Sequence, residues 1–161
     1  MPKIDLNTAQ RVTGSRYPRP FDEPCLAREN LRLGDAAGLT QFGVNITTLK
    51  PGVWWSQRHW HGKEDEFVYV ISGEVVLVED AGETVLRPGD CAGFKAGVPN
   101  GHHLINRTAK DASFLVVGSR DPGDWGEYSD IDMQFHRERA PKSPSPAGGF
   151  TYKDGRPYQA K

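Results

Sequence analysis

Two histidines one residue apart, His59 and His61, are followed by Glu64-Asp65-Glu66 and answered further along the chain by His102-His103. Alternate side chains of a β-strand share a face, so His59 and His61 can direct their imidazoles at one point. Glu66 opens the next strand after a short loop and can return its carboxylate to that point. A third imidazole from a neighbouring strand completes a set of nitrogen and oxygen donors suited to one divalent cation, with one or two positions left for water or substrate. Four of the chain's five histidines fall in these two segments, with only His136 elsewhere. The expected ligands are therefore His59, His61, Glu66 and His102. A one-residue slip in register would turn His103 inward in place of His102, and Glu64 is the alternative to Glu66. The competing reading is a polar barrel mouth that holds no ion.

Strands are needed to bring these groups together, and the sequence supplies their signals. Residues 40–49 alternate Phe42, Val44 and Ile46 against Gly43, Asn45 and Thr47, and Pro51-Gly52 ends the run as a turn. Further strands are expected over 53–61, 66–71, 75–79, 84–87, 91–94, 102–106 and 112–118, with 66–71 and 75–79 forming a hairpin about Ser72-Gly73-Glu74. Turns at this rhythm indicate an all-β sandwich or barrel. Residues 1–38 read as an N-terminal arm with a short edge strand near 30–33, residues 39–120 as the barrel core, and residues 121–161 as a proline- and glycine-rich C-terminal extension. Phe150, Tyr152 and Tyr158 suggest that this extension is an ordered arm, able to lie across a partner subunit; the alternative is a disordered tail.

Composition limits the function. The chain has 161 residues, a length suited to one core. Its 20 basic and 21 acidic residues give a formal net charge of −1, with no basic stripe to attract nucleic acid or an anionic membrane. Cys25 and Cys91 have no CxxC spacing, so free thiols in a reducing, cytoplasmic setting are expected rather than a disulfide framework or a cysteine zinc site. No apolar run reaches the length of a membrane span.

The same residues resemble the cupins, small double-stranded β-helix or jelly-roll barrels. The first cupin motif is matched by Gly52, His59, His61, Glu66 and Gly73, with one extra residue between Gly52 and His59. The second is matched by Gly89, His102 and Asn106. Lys95 stands where proline is usual and Asn100 where the histidine is usual, so the histidine and asparagine pair arrives two residues late. The likeness covers roughly residues 40–118 and is nearest to bacterial single-domain cupins regarded as sugar-phosphate isomerase-like. It implies a barrel holding one divalent metal ion, zinc, manganese, iron or nickel. It does not fix the reaction, because function resides in sites and not in folds.

Three functions fit these residues. One is a metal-dependent isomerase acting on a small polar metabolite, with Glu66, Gln57 and Lys95 as catalytic candidates. Gln57 is placed by strand alternation on the face of His59 and His61, and Lys95 lies in the loop before His102, where a substrate anion would arrive. A second is a non-haem metal dioxygenase, which uses a similar donor set. The third is a non-catalytic module that binds a carbohydrate or other small ligand. Trp54, Trp55, Trp60 and Trp125 could offer a stacking platform, but the three within 53–61 fit packing on the outer face or a dimer contact better, since Trp60 alternates away from the histidines. Exposed sheet edges and aromatic arms lead us to expect a homodimer.

Overall fold

A computed structural model of the protein describes residues 3–137 and 149–158. The proline-rich stretch beginning at Ala140 lies, as far as residue 148, outside the described residues. The described chain is almost entirely strands. They are β1 (Arg11–Thr13), β2 (Arg28–Arg32), β3 (Phe42–Leu49), β4 (His59–His61), β5 (Glu66–Ser72), β6 (Val75–Glu79), β7 (Gly82–Leu86), β8 (Cys91–Phe94), β9 (His103–Ile105), β10 (Ala112–Ser119), β11 (Trp125–Tyr128), β12 (Gln134–His136) and β13 (Phe150–Thr151). One turn of α-helix, Leu33–Ala36, is the longest helical piece among the described residues, and no described helix is long and apolar enough to cross a membrane.

Six strands in the order β1-β2-β3-β10-β5-β8 form one layer. The facing layer consists of the sheets β13-β12-β11-β4 and β7-β6-β9, which meet at the bridges His59 to His102 and Trp54 to Ile105. This is the jelly-roll barrel expected from the sequence. Between the layers Phe114, Leu49, Val68, Val70, Val75 and Leu104 are fully buried and form the centre of the apolar core.

Several elements depart from the sequence reading. Strands β5 and β6 are not a hairpin: β5 pairs with β10 and β8, whereas β6 pairs with β7 and β9. Gly73 carries the chain between the two sheets. Its φ is +73°, and a Cβ there would stand 2.5 Å from the Asp111 carbonyl oxygen, so the crossing requires glycine. The edge strand expected near residues 30–33 is instead β2, paired on both sides, and β1 is the edge. Of the strand expected over 53–61 only β4 is regular, because the preceding residues exchange partners: Trp54 N–H donates to the Pro24 carbonyl and Trp55 N–H to the Leu104 carbonyl, both at 2.8 Å.

Which face of each strand looks inward matters most for the site. On β3 the apolar row faces outward: Phe42 is 41% exposed while Thr47 is fully buried. Asn45 and Gly43 border an interior cavity with Arg28, Asn30 and Arg32 of β2. The barrel interior is therefore divided, apolar where Leu49, Phe114 and Val70 meet and polar toward Gly43, Gly118 and Glu66, which are cross-strand partners in that order.

Phe114→Ala removes a ring from the middle of this core and leaves a hole that the flanking strands cannot close. We expect a loss of about 3–5 kcal/mol, measured by urea unfolding. A cost below about 1 kcal/mol would show that the two layers are not packed around this ring.

Candidate metal centre

His59 and His61 lie on β4 with their Nε2 atoms 3.2 Å apart. The other nitrogen of each ring is committed to an acceptor. His59 Nδ1–H donates to the Gln57 carbonyl at 2.9 Å, and His61 Nδ1–H donates to the Asp124 carboxylate at 2.7 Å. In their neutral forms both rings thus present Nε2 lone pairs to each other, an arrangement that repels unless a cation lies between them. Donor atoms bound about 2.0–2.2 Å from one metal ion at angles near 90–110° lie roughly 2.8–3.6 Å apart, a range that includes the separation found here.

Glu66, at the start of β5, brings a carboxylate oxygen within 4.8 Å of both nitrogens. Its Oε2 is 3.1 Å from His102 Nε2, so the third imidazole adjoins the cluster through this carboxylate. His102 is 1% exposed, its Nδ1 has no hydrogen-bond partner among the described residues, and its ring stacks parallel on Phe94 at 3.5 Å. Packing against Phe94 orients this ring. His103 points elsewhere: its Nδ1 meets the Ser56 carbonyl at 3.0 Å and its ring stands edge-on to Trp54. Of the adjacent histidines, His102 is the one that faces Glu66.

A second group of donors lies behind His61. Glu64 and Asp124 are buried, and with His61 they bring ligand atoms within 4.8 Å of one another. Both carboxylates already have donors. Glu64 accepts from the Asp121 N–H at 2.8 Å and from Arg137, and Asp124 accepts from the Lys63 N–H at 3.0 Å as well as from His61. Asp124 carries no local sequence signal, since it reaches His61 from the loop before β11. The approach of β11 to β4 depends on Gly126, where a Cβ would overlap the Trp60 carbonyl and stand 2.6 Å from the Phe135 ring.

Burial and neighbours set the protonation of these groups. His59 is held well below its ordinary value, first by burial and then by the adjacent His61 and His102 rings. For His61 burial is the largest influence and acts downward. The Asp124 hydrogen bond, with the charges of Glu66, Asp124 and Glu64, outweighs it and raises the group. Burial raises Glu64 against the pull of the Asp121 N–H and Arg137. Asp124 is lowered, because His61, the Lys63 N–H and Arg137 together overcome its burial.

The remaining candidates take separate positions. Lys95 borders a small cavity of about 190 Å³ with His61, Glu64, His102, Phe94 and Trp60. Gln57 is buried and its Nε2 donates to the Phe21 carbonyl at 2.8 Å, tying the N-terminal segment to the chain just before β4. Trp60 packs edge-on against Trp125 at 5.1 Å, and Trp55 packs edge-on against Phe114 at 5.5 Å. Phe150 packs within the chain against Tyr17 and Tyr128, and Tyr158 against Phe21.

The family pattern described as "Cupin domain" matches residues 45–118. A Silicibacter pomeroyi protein described as a sugar phosphate isomerase from a cupin superfamily is 49% identical, with a TM-score of 0.88 over 99% of this chain and 98% of that one. The chain belongs to the cupin superfamily. A second solved structure, a candidate sugar phosphate isomerase from Acidithiobacillus ferrooxidans, is 32% identical with a TM-score of 0.66, covering 69% of this cupin and 70% of that chain. A polyketide cyclase from Streptomyces resistomycificus, at 17% identity and a TM-score of 0.64 over 89% of this chain and 94% of that one, shares the fold. No curated protein matches the chain. Gly52, His59, His61, Glu66 and Gly73 lie within the matched residues 45–118, whereas Asp124 lies beyond them.

The opposite shifts of His61 and Asp124 predict a pH window for the metal-free cupin. A raised histidine contributes fully below its unfolded value of 6.5 and loses the contribution as pH rises through the folded value. A lowered aspartate contributes fully above its unfolded value of 3.8 and loses it as pH falls through the folded value. In chelator, the difference in unfolding midpoint between the wild type and Asp124→Asn should peak between about pH 4 and pH 6.5 and shrink above it. A difference that grows steadily toward pH 9 would show that the charged pair is not what Asp124 contributes.

Proposed function

We propose that this cupin is a metal-dependent enzyme that isomerises a small phosphorylated sugar, with one divalent ion held by His59, His61, Glu66 and His102. The observation that carries the reading is the 3.2 Å approach of two imidazole nitrogens whose opposite nitrogens are both tied to acceptors. The donor set of imidazole and carboxylate suits zinc, manganese, iron or nickel. The likeness to the Silicibacter pomeroyi protein supports the reaction class.

Such an ion would supply Lewis acidity toward a carbonyl oxygen of the substrate. The chain's own groups hold and position the reactants. Asp124 fixes the His61 ring, the Gln57 carbonyl fixes the His59 ring, and Phe94 fixes the His102 ring. Proton transfer between neighbouring carbons needs a carboxylate or amine beside the cavity. Glu66 and Lys95 border the cavities beside these residues, whereas Gln57 borders neither and its amide is tied to the Phe21 carbonyl.

The proposed assembly is a homodimer with no nucleic-acid or membrane partner. Its support is an apolar outer sheet face, where Phe67, Tyr69 and Ile71 of β5 are 41–44% exposed and Phe67 and Tyr69 lie across β10 from Val44 and Ile46. Two free thiols, Cys25 and Cys91, favour a reducing, cytoplasmic setting.

Protein purified without an affinity tag should contain about one equivalent of metal by elemental analysis, and His59→Ala and His102→Ala should each lose most of it. Reconstituted anaerobically, the wild type should interconvert aldose and ketose phosphates, and the two variants should fall by at least about a hundredfold in kcat/KM. Oxygen uptake with a substrate would instead show a dioxygenase. Stabilisation by a sugar phosphate without product would show a binding module.

A further inference from the structure

The polar end of the barrel interior opens into a cavity of about 690 Å³ that has His61 and Glu66 on one wall. Five guanidinium groups border it, against three carboxylates, Asp35, Glu64 and Glu66. Their pairing is uneven. Arg137 is committed to Glu64, while Arg32 and Arg120 share the single carboxylate of Asp35, Arg32 at 3.6 Å. Arg28 meets no carboxylate among the described residues: its Nη2–H and Nε–H donate to the Gly14 carbonyl at 2.8 and 3.2 Å, and its Nη1–H donates to the Trp55 carbonyl. Arg16 is exposed and makes no hydrogen bond or ion pair among the described residues. The cavity therefore holds more positive charge than its own acids neutralise, and a divalent ion beside Glu66 would enlarge the surplus.

Strand geometry explains how these charges come to one place. Arg28, Asn30 and Arg32 alternate on β2 and so share its inward face, opposite Thr47 and Asn45 of β3. The Thr47 hydroxyl donates to Asn30 Oδ1 at 2.7 Å, which leaves the Asn30 amide hydrogens for another acceptor. Between this row and Glu66 the floor is Gly43 and Gly118. A Cβ on Gly118 would meet only the Asp65 carbonyl oxygen, at 3.5 Å, and one on Gly43 only the Arg120 and Asn45 side chains, at 3.6 Å or more. The side chains nearest that floor are Arg120 and Asn45, both polar, and Val116 borders the same cavity.

We propose that Arg16, Arg28 and Arg32, with the Asn30 amide, form a subsite for the phosphate monoester of the substrate, placing its carbonyl end at His61 and Glu66. Guanidinium forks match phosphate oxygens in shape and charge, and a dianion fits the surplus better than a neutral sugar. This names the anchoring group of the substrate and rests on the isomerase reading above, but phosphate binding is measured without turnover.

The experiment is calorimetric titration of the full-length, metal-loaded protein with inorganic phosphate and, separately, with fructose 6-phosphate and fructose. Arg16→Ala removes an exposed, unpartnered side chain and Arg32→Gln a partly exposed one, so neither should disturb folding, which circular dichroism checks. Each should weaken phosphate and fructose 6-phosphate binding by roughly ten- to a hundredfold. Arg107→Ala, whose guanidinium pairs with Glu83 on the surface, should leave both unchanged. Phosphate binding that survives in metal-free His59→Ala supports the subsite whatever becomes of the metal reading. Wild-type binding of fructose 6-phosphate no tighter than fructose, or undiminished phosphate binding in the Arg16→Ala/Arg32→Gln double variant, overturns it even if the metal is present.

Discussion

The structure of the site depends on a repulsion. Two imidazoles on adjacent inward positions of a three-residue strand are each fixed through Nδ1 to an acceptor, so their Nε2 lone pairs converge at 3.2 Å. Burial makes this costly, because the surroundings offer little solvent to screen the encounter. A proton on His61 or a metal ion shared by both rings relieves it. The neighbouring carboxylates of Glu66, Asp124 and Glu64 favour either cation and account for the upward shift of His61.

The rest of the architecture holds that encounter in place. The bridge from His59 to His102 joins the two short sheets and brings the third imidazole beside Glu66. Strand β11 lies against β4 and delivers Asp124 to the far side of His61. The six-stranded layer supplies Glu66 from β5 and, along the inward faces of β2 and β3, the polar wall of the larger cavity. Its apolar residues are divided between the buried core and the outer face of β3, β10 and β5. That division allows one sheet to build a core, a polar cavity and a candidate contact surface together.

The sequence was informative where chemistry follows a short period. His59 and His61 share a face because strands alternate, and the turn glycines and prolines marked most strands to within a few residues. It was silent where contacts are distant. Asp124 lies 63 residues from His61, in a loop with no motif of its own. The short edge strand expected near residues 30–33 gave no sign that Arg28, Asn30 and Arg32 share an inward face, because the pairing of β1 that covers this edge is not local in the sequence. The sequence reading misplaced the partner of β5, because a short glycine turn suits a hairpin as well as a crossing between sheets. Backbone proximity at Gly73, where Asp111 leaves no room for a Cβ, settles which occurs.

Anomalous scattering at the metal absorption edge, from crystals of this cupin grown with manganese(II) or cobalt(II), tests the central claim most directly. The account predicts one strong peak about 2.0–2.3 Å from the Nε2 atoms of both His59 and His61, on the side facing Glu66. A peak confined to Glu64 and Asp124, or no peak beside two rings that keep the same orientation, would contradict it.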